Sequence, residues 1–199
     1  MSPCLRNIAS FLPEIPTMPD IVRNAPEMHR PVFDPSTAFW SQPEAKPFFR
    51  DLSLTHRVQI GGSCVSTGLS LLTGEEPISI RSQLNTQDPV SWSRYLQRHG
   101  MRLAYCSTDL RRLRHYVDEL LAHDDLFTLS TYSPGNPLDI GDEPDSSGWI
   151  CSSHFVVLHR DTVYDTRFAH PVPLRDYCDL NRYIKRLFRV VPADHARGL

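Results

Sequence analysis

Cys64 is the first residue whose type and setting suggest chemistry. It follows Gly61-Gly62-Ser63 and opens a run to Thr73 that ends at Gly74. Ser63 as N-cap and Gly74 as C-terminal stop predict a helix with the cysteine in its first turn. There, unpaired backbone N–H groups and the helix dipole favour anionic sulfur, so the thiolate is accessible nearer neutral pH. The glycine pair lets backbone approach a substrate closely. A single cysteine is otherwise most often a small buried hydrophobe, so a nucleophile needs partners elsewhere in the chain.

His154 and Asp165 supply them through a register argument. Runs from Ile150 to Leu158 and from Thr162 to Asp165 are rich in β-formers and predict a tight antiparallel hairpin. A turn centred near His159 and Arg160 sets His154 opposite Asp165. A turn one residue later makes Asp165 the diagonal neighbour on the same face, because side chains alternate with period two. Either register brings the β-carbons within roughly 5 to 8 Å. An imidazole held by a carboxylate keeps one tautomer and can take a thiol proton.

Each residue also has a plain reading: His154 as a satisfied strand-end histidine, Asp165 as the end of the hairpin, and Asp161 as a turn residue. The order Cys, His, Asp in three matching settings is what carries weight. His159 lies an odd number of residues from His154 and takes no role. Cys151 is the weaker nucleophile candidate, while Cys4, Cys106 and Cys178 read as structural or incidental. No HExxH, CxxC, zinc-deaminase, P-loop, Rossmann or GxSxG pattern occurs, so no cofactor and no metal are expected.

The elements that must position this trio follow from punctuation and period. A second helix is predicted from cap Asp88 and Pro89, with Trp92 and Leu96 on one face and Gly100 as its stop. Met101 to Cys106 reads as a strand. A third helix is expected from Thr108, with Leu110, Leu113, Val117, Leu120 and Leu121 at helical spacing. Leu126 to Thr131 and Leu187 to Val191 read as strands, and Ser133 to Gly148 as an exposed loop. Helices first and an antiparallel sheet afterwards argue for an α+β domain. Arg182, Lys185, Arg186 and Arg189 read as a solvated charged face rather than a partner-binding patch.

The chain has 199 residues, 40% of them hydrophobic, and a formal net charge of -2, which suits one ordinary domain without a field for nucleic acid or an anionic membrane. Nine of its 17 prolines fall within the first 47 residues, so residues 1–50 read as a proline-rich arm and 51–199 as the catalytic domain. The arm's aromatic and aliphatic residues suit a segment laid along the domain or against a partner; the alternative is a disordered tail. Five cysteines without close spacing make a disulfide framework unexpected. No signal-peptide run or membrane span is seen, so the expected location is a reducing cytoplasm, with signal-less delivery into a host cell left open.

The chain resembles the papain-like cysteine peptidases, and most closely the bacteriocin-processing, double-glycine-leader branch. The matching pieces are Gln59 to Cys64 with the following helix, Trp92 to Leu103, the Leu110–Leu121 helix before Phe127 to Ser130, and His154 to Leu158 with Val163 to Asp165. By position, the resemblance implies Cys64 as nucleophile, His154 as base, Asp165 as orienting acid and Gln59 as oxyanion donor. It also implies a fold in which the cysteine helix packs on an antiparallel sheet carrying the histidine and aspartate. The chain departs from the family in having Ser63 before and Val65 after Cys64, and in a Gln-to-Cys spacing one residue shorter than is common.

The expected function is therefore a thiol hydrolase that cleaves a peptide bond of a protein or peptide through an acyl-enzyme. Alternatives with the same trio are a protein glutamine deamidase and an acyl-transferring effector or toxin. A further alternative is a non-catalytic binding module on the same scaffold, using the arm or the acidic Asp139–Asp145 loop. In a third arrangement the arm folds over the cleft and inhibits it.

Overall fold

The computed structural model describes residues 46–60, 63–108, 111–132 and 153–199. Residues 1–45 of the arm, the Ser133–Gly148 loop and Cys151 lie outside the described residues. Among the described residues, four α-helices come in chain order: α1 (Cys64–Thr73), α2 (Pro77–Gln83), α3 (Pro89–Gln97) and α4 (Val117–His123). The strands are β1 (Met101–Tyr105), β2 (Leu126–Tyr132), β3 (Ser153–His159), β4 (Thr162–Tyr164), β5 (Val172–Pro173) and β6 (Ile184–Pro192). They form one sheet in the order β1-β6-β2-β3-β4-β5, with every pairing antiparallel. The fold is α+β.

Both faces of the sheet are covered, and the alternation of side chains decides which core each strand residue joins. In β3, Phe155 and Val157 point to a core built with Val65 and Leu69 of α1, Ile80 of α2 and Trp92 and Leu96 of α3. Val156 and Leu158 point to the opposite core, with Val117 and Leu120 of α4 and with Leu113, Leu174 and Tyr177. Strand β6 alternates in the same way, sending Phe188 and Val190 to the first core and Leu187 and Val191 to the second.

Helix α1 begins and ends as its punctuation predicts. The Ser63 hydroxyl accepts from the Ser66 amide, and Gly74 takes φ 74° while its N–H donates to Ser70 O at 2.9 Å. Asp88 caps α3 through both carboxylate oxygens, which accept from the Val90 and Ser91 amides. Helix α2 was not anticipated: Glu76 gives it no side-chain cap bond, and only Ile80 of its residues is buried.

Two expectations require correction. The helix expected from Thr108 is a 3-10 turn at Leu113–His115 followed by α4. Arg112 is extended (ψ 149°) and bridges to Tyr183, while the Leu113 amide donates to Arg182 O and Arg111 O accepts from the Ile184 amide. Sheet-like pairing uses the backbone that a helix from 108 would need. The second concerns Arg189, which lies on no solvated face: it is fully buried and ion-paired to Asp125 at 2.6 Å. Asp125 also accepts from the Phe48 and Phe49 amides at 3.0 and 2.8 Å, and Arg189 donates to Lys46 O at 2.9 Å and stacks over the Phe48 ring. Residues 46–49 are thereby fastened to the domain.

Candidate functional site

The β3–β4 hairpin sets the geometry. Its pairs are His159↔Thr162, Leu158↔Val163 and Val157↔Tyr164, closed by the two-residue turn Arg160-Asp161. This is the later of the two registers, which makes Asp165 the diagonal neighbour of His154. Arg160 takes φ 58° at the turn and is held there by Asp124, whose Oδ1 accepts from its Nε.

His154 Nε2 and Asp165 Oδ1 lie 2.8 Å apart, with both residues buried (7% and 1% exposed). The imidazole is therefore held through Nε2, and Nδ1 is the ring nitrogen left for chemistry. Asp165 is also bound by Arg167, whose amide donates to Oδ1 at 2.9 Å and whose Nη2 donates to Oδ2 at 2.6 Å. The Tyr177 hydroxyl donates to Oδ2 at 2.7 Å. Burial alone would raise the Asp165 pKa, but the donors from His154 and Arg167 outweigh it and hold the carboxyl well below its usual range. The same burial, together with the Asp165 charge, pushes the Tyr177 phenol far up, so Tyr177 stays a donor.

Helix α1 seats against the start of β3 through its one interior glycine. A Cβ on Gly68 would lie 2.3 Å from Cε1 of Phe155, so the ring occupies the space a side chain would need. Cys64 is four residues from Gly68, about 6 Å along the helix axis, and His154 is the residue before Phe155. The contact therefore places Cys64, which is half-buried, on the helix that packs against β3. Ser63 O accepts from the Ser66 and Thr67 hydroxyls, which firms the turn behind the thiol.

Gln59 joins the group from the segment before α1. Its amide donates to Thr166 O at 2.7 Å, and the Thr166 hydroxyl approaches Gln59 Oε1 at 3.4 Å. His56 Nε2 lies 2.8 Å from Phe168 O, so residues 56–59 run beside residues 166–168, directly after Asp165. The structure thus brings Gln59, His154 and Asp165 to one end of the hairpin.

A groove of about 580 Å³ borders the same helix start, lined by Val58, Ile60, Ser63, Thr67 and Ile78 among others. Ile60, Ile78 and Val58 are 96%, 82% and 47% exposed, and large apolar side chains standing together in solvent mark binding surfaces. Sequence reasoning missed this groove because α2, which carries Ile78, was not anticipated. It also missed Arg167 and Tyr177; the signal available was Asp165-Thr-Arg167, whose alternation puts both charges on one side. Thr131 was missed as well: it is the cross-strand partner of His154, is buried, and its hydroxyl has no hydrogen-bond partner among the described residues.

Of the remaining cysteines described, Cys106 is buried and Cys178 exposed. His159 is turned to the Phe49 and Arg50 carbonyls. Among the described residues no cluster of three or more His, Cys, Asp or Glu side chains is placed to hold a metal, and no helix is long and apolar enough to cross a membrane. No protein-family model matches the chain, and neither a curated protein nor a solved structure matches it.

Proposed function

We propose that the chain is a papain-like thiol hydrolase that cleaves an amide bond of a polypeptide substrate through an acyl-enzyme on Cys64. The observation that carries this reading is the buried 2.8 Å contact of His154 with Asp165, at the strand start on which the cysteine's helix is seated. His154 takes the thiol proton and the sulfur attacks the carbonyl carbon. The oxyanion so formed is met by the Cys64 backbone N–H and the Gln59 carboxamide N–H; one such donor is worth about 10²–10³ in rate. As the tetrahedral adduct collapses, the C–N bond breaks and His154 returns the proton to the leaving amine. Water then hydrolyses the thioester with His154 as base. Phe155 points to the α1 side and His154 to the other, so in this reading the thiol meets the imidazole around the N-terminal end of β3.

The exposed Ile60 and Ile78 beside the helix start suit an apolar side chain of the substrate. A thiol-directed probe at one equivalent should label Cys64 ahead of Cys106 and Cys178, and labelling should fall in His154→Ala. Turnover should drop by about 10⁴–10⁶-fold in Cys64→Ala. Equal labelling of all cysteines, unaffected by His154→Ala, would sink the reading. Mass spectrometry of a host lysate treated with wild type and Cys64→Ala separates the two amide substrates: new peptide termini mean backbone cleavage, and a gain of about one dalton at glutamine means side-chain hydrolysis by the same steps.

A further inference from the structure

Asp165 does not meet His154 as a lone carboxylate. Oδ1 accepts from the Arg167 amide and guanidinium as well as from the imidazole, and Oδ2 accepts from Arg167 and Tyr177. Arg167 is in turn shared with Asp179, which also pairs with Arg182 at 2.8 Å. The charges therefore alternate along a line from the imidazole outward: Asp165 negative, Arg167 positive, Asp179 negative, Arg182 positive. The line runs from a fully buried carboxylate to arginines 34% and 26% exposed, so its inner end is little screened by water.

We infer that Arg167 is a positioning residue that cancels most of the Asp165 charge, so that Asp165 aims His154 without supplying a full negative charge to the Cys64–His154 pair. The inference rests on the hydrolase reading above. Its first support is geometric, since the Arg167 guanidinium spans both carboxylate oxygens and its own backbone N–H shares Oδ1 with the imidazole. Its second support is electrostatic: burial works against the Arg167 charge, yet Asp165 and Asp179 together hold the guanidinium more firmly protonated than usual. Other charged or titratable groups near this end of the hairpin are His56, bonded to Phe168 O, and Tyr164, which packs against His56. Arg57 is paired with Glu76.

A cation lowers the proton affinity of every titrating group around it, and an anion raises it. Removing Arg167 must therefore move the whole pH profile of the thiol–imidazole pair upward, and removing Asp179 must move it downward. The experiment is the rate of Cys64 alkylation by iodoacetamide as a function of pH, in full-length wild type, Arg167→Met, Arg167→Lys, Asp179→Asn and His154→Ala. The expected result is a shift of about one pH unit upward in Arg167→Met and a smaller downward shift in Asp179→Asn. Arg167→Lys, which keeps the charge and loses the fork, should stay near the wild-type position with a lower rate.

Profiles that keep their position in Arg167→Met and Asp179→Asn overturn the inference and leave Arg167 a structural clasp. Equal shifts in Arg167→Met and Arg167→Lys overturn it too, because charge would then not be the agent. Should Arg167→Met fail to fold, the sign of the Asp179→Asn shift decides. Failure of the hydrolase reading is seen separately: His154→Ala would then leave the profile of Cys64 unchanged.

Discussion

Among the described residues, two buried carboxylates are gripped by arginine, and they differ in what the arginine touches next. Asp125 and Arg189 are both fully buried, and their further partners include the Phe48 and Phe49 amides, Lys46 O and the face of the Phe48 ring. Asp165 is equally buried, but its arginine is part-exposed and shared with Asp179, and its Oδ1 also holds an imidazole. The first centre is closed and fastens residues 46–49 to the sheet. The second is open on one side and presents a histidine. Saturating a carboxylate with donors is common to both; what differs is that one partner of Asp165 is an imidazole.

Neutralising each carboxylate tests that contrast most directly. Asp165→Asn should lower turnover by about 10²–10⁴-fold, while Arg167 keeps Asp179 as a partner and limits the loss of stability. Asp125→Asn should do the reverse. It leaves the fully buried Arg189 charge uncompensated and should cost about 3–5 kcal/mol in denaturant unfolding, with the specific activity of the folded fraction retained. Equal stability losses in the two variants would erase the distinction.

A smaller effect is expected from the seat of α1. Gly68→Ala drives a methyl group into the Phe155 ring and should cost about 1–3 kcal/mol. Because that contact holds the cysteine's helix to the histidine's strand, alkylation of Cys64 should slow more than the stability loss explains. An activity loss no greater than the unfolded fraction would show that α1 is positioned by other contacts.

The mildest test is acid. His123 stands beside the Asp125–Arg189 centre, where burial and the Arg189 charge lower its pKa to about 4 from 6.5. The unfolded chain then binds the proton that the folded one refuses, so this contribution is complete above pH 6.5 and is lost as pH falls from 6.5 toward 4. Asp165, whose pKa is depressed in the fold, loses its contribution only below the ordinary carboxylate range. Melting temperature should therefore begin to fall between pH 6.5 and 5, and His123→Gln should flatten that slope while Asp165→Asn leaves it in place.

What could be read from the sequence was local. Capping residues Ser63 and Asp88, the stop at Gly74 and the parity of the hairpin each depend on neighbours a few residues apart, and each appears in the fold. What could not be read was non-local. Arg189 looks like part of a basic surface run until Asp125, 64 residues earlier, is placed beside it. Strand β6 reads as a last strand in chain order, yet it lies inside the sheet between β1 and β2. The triad candidates fall between these cases: Cys64 and the His154–Asp165 spacing are visible along the chain, whereas Tyr177 and Asp179, which hold Asp165 and Arg167, come from beyond β5.

The place of β6 also sets the order of assembly. Among the named strands β1 pairs with β6 alone, and β2 joins β1 only through it, so the sheet cannot close until residues 184–192 have been synthesised and have come back between partners 83–91 and 53–62 residues upstream. Closing loops of that size before any contact rewards them slows folding. The hairpins β2–β3 and β3–β4 can form early from local contacts, carrying His154 into register. β1 and the α3 packed on it must wait for β6, whereas the Cys64 helix can seat on Phe155 as soon as β3 is made, so the candidate pair gains its framework before the sheet behind it is complete.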